Sequence, residues 1–83
     1  ARRLAMFQVR ATPEAGNMIR QPFAERAEEC ILVLSGRIEL VIAGQSYELG
    51  EGDTIYFENR YLDSIRAAGD AEASYISVLA RID

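Results

Sequence analysis

Glu28-Glu29-Cys30-Ile31-Leu32-Val33-Leu34-Ser35-Gly36 is the stretch on which the fold reading turns. Its middle, residues 30–34, is an unbroken apolar run of strand length, and the β-branched Ile31 and Val33 favour extended backbone over helix. Ser35-Gly36 ends the run with a turn signal. Beyond it the pattern becomes period two: Ile38, Leu40 and Ile42 fall on one side, and Arg37, Glu39 and Val41 on the other. That is a half-buried strand. Ala43-Gly44 then predicts a tight hairpin into a strand over 45–49, and Gly50-Glu51-Gly52-Asp53 the turn that follows it.

Working outward, residues 54–57, 61–66 and 73–80 read as three more strands, joined by loops at Glu58-Asn59-Arg60 and Ala68-Gly69-Asp70. On the N-terminal side, 4–9 is a first strand, Thr12-Pro13-Glu14-Ala15-Gly16 a loop, and 17–21 a weak second strand. Short strands punctuated by turns, with no helix, predict an antiparallel sandwich or barrel in which closure limits exposed edges. The 83 residues make a single all-β domain spanning 1–83, with 1–3 reading as a linker remnant.

Hydrophobic residues are 49% of the chain and charged residues 27%, which suits a folded domain and not a disordered tail. The net charge of -4 supplies no positive field for phosphates, so these residues by themselves are a poor nucleic-acid binder. All nine basic residues are arginine. Cys30 cannot close an intrachain disulfide, because it is the single cysteine, and its apolar run predicts a small core residue in a reducing compartment. No apolar run approaches the ~20 residues of a spanning helix. A cytoplasmic address with no membrane partner is the expectation.

The spacing of a few residues resembles a known family, the cupins, which are small double-stranded β-helix or jelly-roll barrels. The first cupin motif runs glycine, five residues, His-x-His, three or four residues, glutamate, six residues, glycine. Gly16, Glu29 and Gly36 fall in its longer register, but the histidine positions hold Pro22 and Ala24, or Phe23 and Glu25 on the shorter spacing. Gly52-Asp53 fits the start of the second motif, whose histidine position holds Asp63 and whose proline, second glycine and asparagine positions hold Glu58, Arg60 and Ala67. Val33-Leu34-Ser35-Gly36, Gly52-Asp53 and Tyr56-Phe57 look most like the sensor barrels of bacterial Xre-type helix-turn-helix regulators. That resemblance implies a homodimer that receives a small effector. It also implies that DNA is bound only through a helix-turn-helix domain outside these residues.

The family's metal centre relies on neutral imidazoles and one carboxylate, and this chain has no histidine. Glu29, Asp63 and Glu25 remain as an all-oxygen set suited at best to Mg²⁺ or Ca²⁺. The expectation is therefore no metal, no cofactor and no catalytic residue, with Glu29 hydrogen-bonded to a tyrosine hydroxyl or an arginine inside the barrel. Paired carboxylates can run acid–base chemistry, so a sugar or small-acid enzyme, or the inactive half of a bicupin enzyme, is the alternative.

As a binding pocket, an inward Glu29 brings Ile31 and Val33 with it, and an inward Asp63 brings Tyr61 and Ile65; Ile55 and Phe57 follow by the same alternation. The candidate ligand-binding residues are thus Glu29, Asp63, Tyr61, Glu25 and Phe57. An apolar pocket with acidic tips favours a neutral or cationic effector. The first strand offers Phe7 and Val9 as an apolar stripe for edge pairing with a second subunit.

Overall fold

A computed structural model of the protein describes residues 3–15 and 26–81. The strands, in chain order, are β1 Arg3–Ala11, β2 Ala27–Ser35, β3 Arg37–Ile42, β4 Gln45–Gly50, β5 Thr54–Glu58, β6 Leu62–Ala67 and β7 Ala73–Arg81. Short 3-10 turns occupy Pro13–Ala15 and Asn59–Tyr61, where the sequence pointed to loops, except that Tyr61 was expected to open β6 and instead closes the second turn. Two antiparallel sheets result, ordered β1-β7-β2-β5 and β4-β3-β6. The last strand thus slots between the first and second of the larger sheet, and the all-β jelly-roll expectation holds. The strand expected at 17–21 lies outside the described residues.

Alternation builds the core. On β2, Glu29, Ile31 and Val33 turn inward with Tyr75 and Leu79 of β7 and Phe57 of β5; from the smaller sheet come Ile38, Leu40, Ile65 and Ala67. Ile42 and Ile55 pack against this cluster from its margin. One expectation is corrected here. Cys30 is on the outward side of β2 and half-buried, not in the core, because it alternates with the inward Glu29 and Ile31. Phe7 and Val9 pair in register with Ser77 and Tyr75, which are buried, so they share the inner face, and Leu4 and Met6 make the outward stripe of β1.

The turns between strands are specified by individual residues. Gly36 has a φ of 75° and passes so close to the start of β7 that an added Cβ would lie 2.6 Å from the Glu72 carbonyl oxygen. At the β3–β4 hairpin both central residues have positive φ, 50° at Ala43 and 80° at Gly44, the twist that a two-residue hairpin needs. The Gly50–Asp53 turn is closed by the Asp53 carboxylate, which accepts the Gly50 N–H at 2.9 Å, and is tied to β2 by the Gly52 N–H, which donates to the Val33 carbonyl at 2.9 Å. The Gly52-Asp53 pair is therefore a fastening between sheets as much as a family signature.

The outward face of the smaller sheet is polar. Glu39 accepts hydrogen bonds from Ser46 Oγ at 2.7 Å and Arg66 Nε at 2.6 Å, and Arg37 pairs with Glu48. The Ser46 hydroxyl, then the Arg66 guanidinium, holds the Glu39 carboxyl below the usual carboxylate range. A carboxyl with a depressed folded-state pKa contributes stability that is complete above its unfolded value and is lost as pH falls through the folded one. Glu39→Gln is accordingly expected to remove part of the acid-side loss of stability while leaving the neutral-pH slope unchanged. Urea midpoints measured between pH 7 and pH 3 check this; parallel curves for the two proteins would refute it.

Candidate functional site

Glu29 is fully buried in the barrel wall, opposite Phe57 on β5 and Leu79 on β7. Its carboxylate accepts from two neutral donors: Asn59 Nδ2 to Oε1 at 2.9 Å and Ser77 Oγ to Oε2 at 2.5 Å. The 3-10 turn after β5 brings Asn59 back over β2, and Ser77 stands one pair along on β7, opposite Ile31. Both donors are themselves buried. A buried carboxylate is costly unless its lone pairs are used, and here each oxygen has a donor. Among the described residues, these donors are an amide and a hydroxyl.

The other candidates do not gather around it. Phe57 does, as a core residue. Asp63 is exposed and accepts the Gly44 N–H at 2.9 Å, while the Tyr61 carbonyl accepts from Ala43 at 2.8 Å. Together they clasp the tip of the β3–β4 hairpin. The reason is a β-bulge: the β3–β6 register runs from Val41 opposite Ser64 to Ile42 opposite Leu62, leaving Asp63 as the extra residue and breaking the alternation that would have turned it inward. The Tyr61 ring is 45% exposed, with the Arg60 guanidinium 4.8 Å from its centroid. Ile65 is buried as its own alternation requires. Glu25 lies outside the described residues, as do Gly16 and the positions of the family's first histidine pair.

Asn59 and Ser77 were not picked out from sequence. For Ser77 a signal existed, since a hydroxyl stands between Tyr75 and Leu79 on the inward side of an otherwise apolar strand. Asn59 had none, because its reach depends on the path of the turn.

The cupin domain profile (Cupin_2) matches residues 10–79. The chain belongs to the cupin family. Among solved structures, this cupin resembles the Cupin_2 domain of an XRE family transcriptional regulator from Enterobacter cloacae. The TM-score is 0.83 at 18% identity, over 92% of this chain and 79% of the other. It also resembles an HTH_3 family transcriptional regulator from Vibrio cholerae, with a TM-score of 0.84 at 22% identity, covering 96% of this chain and 44% of that one. A third likeness is to FeII HppE in complex with substrate, at a TM-score of 0.72 and 22% identity, over 90% of this chain and 44% of the other. No curated protein matches the sequence. At these identities the likenesses establish the fold.

A cupin transition-metal centre does not fit the residues present. The chain has no imidazole, the carboxylate at the family's glutamate position is engaged by Asn59 and Ser77, and Asp63 is on the outside at the hairpin tip. Glu29 and Asp63 consequently form neither an all-oxygen cation set nor an acid–base pair. Among the described residues, no three of His, Cys, Asp and Glu come together, and no helix is long and apolar enough to cross a membrane.

Proposed function

We propose that this barrel is the effector-binding and dimerising domain of a bacterial transcriptional regulator, cytoplasmic and without catalytic activity of its own. DNA contact would belong to an attached helix-turn-helix domain, in keeping with the net charge of -4 on these residues. The regulator assignment is supported by the likeness to the XRE and HTH_3 regulators. The observation that carries the sensing role is the inner wall: among the described residues, Glu29 accepts from the neutral donors Asn59 and Ser77 beside Ile31, Phe57 and Leu79, and the chain has no imidazole to pair with it. Such a wall supports recognition of a neutral or cationic small molecule near Glu29 and Phe57.

The test is thermal unfolding of the protein with amines, amino acids and neutral sugars, set beside anionic counterparts. A ligand at ten times its Kd adds about 1.4 kcal/mol, which raises Tm by roughly 6–11 °C for a domain of this size. At least one neutral or cationic compound is expected to do so, with the gain reduced in Glu29→Gln. A response confined to anions, or none, would refute the sensing role. Turnover of a sugar or small acid that falls tenfold in Glu29→Gln would replace it with an enzyme.

A further inference from the structure

One end of the larger sheet is polar on its outer side. Arg10 on β1, Ser74 on β7 and Ser35 on β2 form a cross-strand row there, with Gln8 two residues back along β1. Together with Val9 and with Glu72, just ahead of β7, they line a cleft of about 480 Å³. Ser35 reaches it through a second β-bulge. The β2–β7 register runs from Val33 opposite Tyr75 to Ser35 opposite Ser74, which leaves Leu34 as the extra residue. Simple alternation from Glu29, Ile31 and Val33 would turn Ser35 into the core. The bulge sends it outward instead, where its hydroxyl meets the Ser74 hydroxyl at 2.8 Å. On the far side of the row, Arg10 Nε lies 3.3 Å from Glu72 Oε1.

We infer that this cleft binds a small zwitterion of the α-amino acid kind. Its volume falls within the roughly 300–1,000 Å³ of small-molecule sites, and apart from Val9 every lining side chain is polar, so it suits a ligand that is polar throughout. The charges choose among such ligands. One cation and one anion stand side by side, so a lone carboxylate is repelled by Glu72 and a lone ammonium by Arg10. A molecule that carries both groups on one carbon finds a partner for each. Glu72 approaches the guanidinium at Nε, and the Nη edge remains to fork onto a ligand carboxylate. Only one hydroxyl hydrogen of the Ser35–Ser74 pair is spent within the pair, so the other can donate to the ligand. Glu72 and the Gln8 side-chain carbonyl can accept from the ammonium. The Arg10–Glu72 pair is itself exposed, 75% and 54% at the side chains, and so contributes little that a ligand must overcome. The cleft lies on the opposite side of β2 and β7 from Glu29, so it stands apart from the sensing wall proposed above.

Amide chemical-shift titration of the intact protein with L-alanine, L-serine and L-glutamine tests this, set beside propionate and ethylamine, which each keep one of alanine's two charged groups. Expected is saturable binding of at least one amino acid that moves the amides of Gln8, Arg10, Ser35 and Ser74, with both half-analogues bound at least about tenfold more weakly. Arg10→Gln and Glu72→Gln should each weaken the amino acid by a similar factor. Both positions are exposed enough for the fold to tolerate the change, which circular dichroism confirms. Glu29→Gln should leave this binding as it is. Shifts centred on Ile31, Phe57 and Asn59 and lost in Glu29→Gln would overturn the cleft and leave the sensing wall standing. Propionate or ethylamine binding as tightly as the amino acid would overturn the zwitterion, and the absence of saturable binding by all three amino acids would overturn the site.

Discussion

Gly36→Ala is expected to cost about 2–5 kcal/mol of folding stability. An alanine there must hold a left-handed φ of 75°, a penalty of about 1–2 kcal/mol. Its Cβ must also fit 2.6 Å from the Glu72 carbonyl oxygen and 2.8 Å from Ala73 Cα, both main-chain atoms that cannot swing aside. Overpacking of that kind adds about 1–3 kcal/mol. Since 83 residues sustain roughly 4–12 kcal/mol in all, the variant should sit near the limit of folding, with a urea midpoint lowered by about 3 M. Gly52→Ala is the control: its φ is 84° but nothing lies within 4 Å of the added Cβ, so only the conformational penalty of about 1–2 kcal/mol applies. Equal losses in the two variants would show that the close approach to β7 does not matter.

Ser77→Ala is expected to lower stability by about 2–4 kcal/mol, because it removes a hydroxyl donor from Glu29 Oε2 inside the wall. The same change made together with Glu29→Leu should cost less than about 1 kcal/mol, since no carboxylate is left in want of a donor. Denaturant unfolding of the four proteins of this cycle measures the difference. An equal cost of Ser77→Ala in both backgrounds would mean that the hydroxyl serves packing alone, and would remove the reason for treating Glu29 as internally tied.

That distinction bears on function. Glutamate at this position faces a metal in cupins that have their histidines. Here its oxygens are met by Asn59 and Ser77, so the side chain is a fixed acceptor in an apolar wall. A fixed acceptor can orient a ligand's donor if that donor displaces one of the two. It cannot form a transition-metal centre without nitrogen ligands.

Much of the fold was legible because period-two alternation and turn chemistry are local. The run at 30–34, the Ala43-Gly44 hairpin and the Gly50–Asp53 turn each declare themselves within a few residues, and all appear where the pattern put them. That Glu29 shares a face with Ile31 and Val33 followed from the same alternation. Asp63 did not follow it, because one bulged residue between Ser64 and Leu62 shifts the alternation of β6 on the side of Ser64 where Asp63 lies, while Ile65 beyond it keeps its place. Which face of β1 carries the Phe7 and Val9 stripe was not legible for a related reason. Which side of a strand faces inward depends on its register with β7, a strand more than sixty residues away in the chain.

By itself the sequence determined that this is a small β-barrel of the cupin kind, lacking imidazole donors, since strand length, alternation, glycine positions and residue inventory are all properties of the chain read in order. Only the tertiary structure decided that Glu29 is met by Asn59 and Ser77, that Asp63 and Tyr61 serve a hairpin tip, and that Ser35 joins Ser74 on the outer face. Those facts depend on the pairing of strands far apart in sequence, and a hydrogen bond or a shared face exists only once that pairing is fixed.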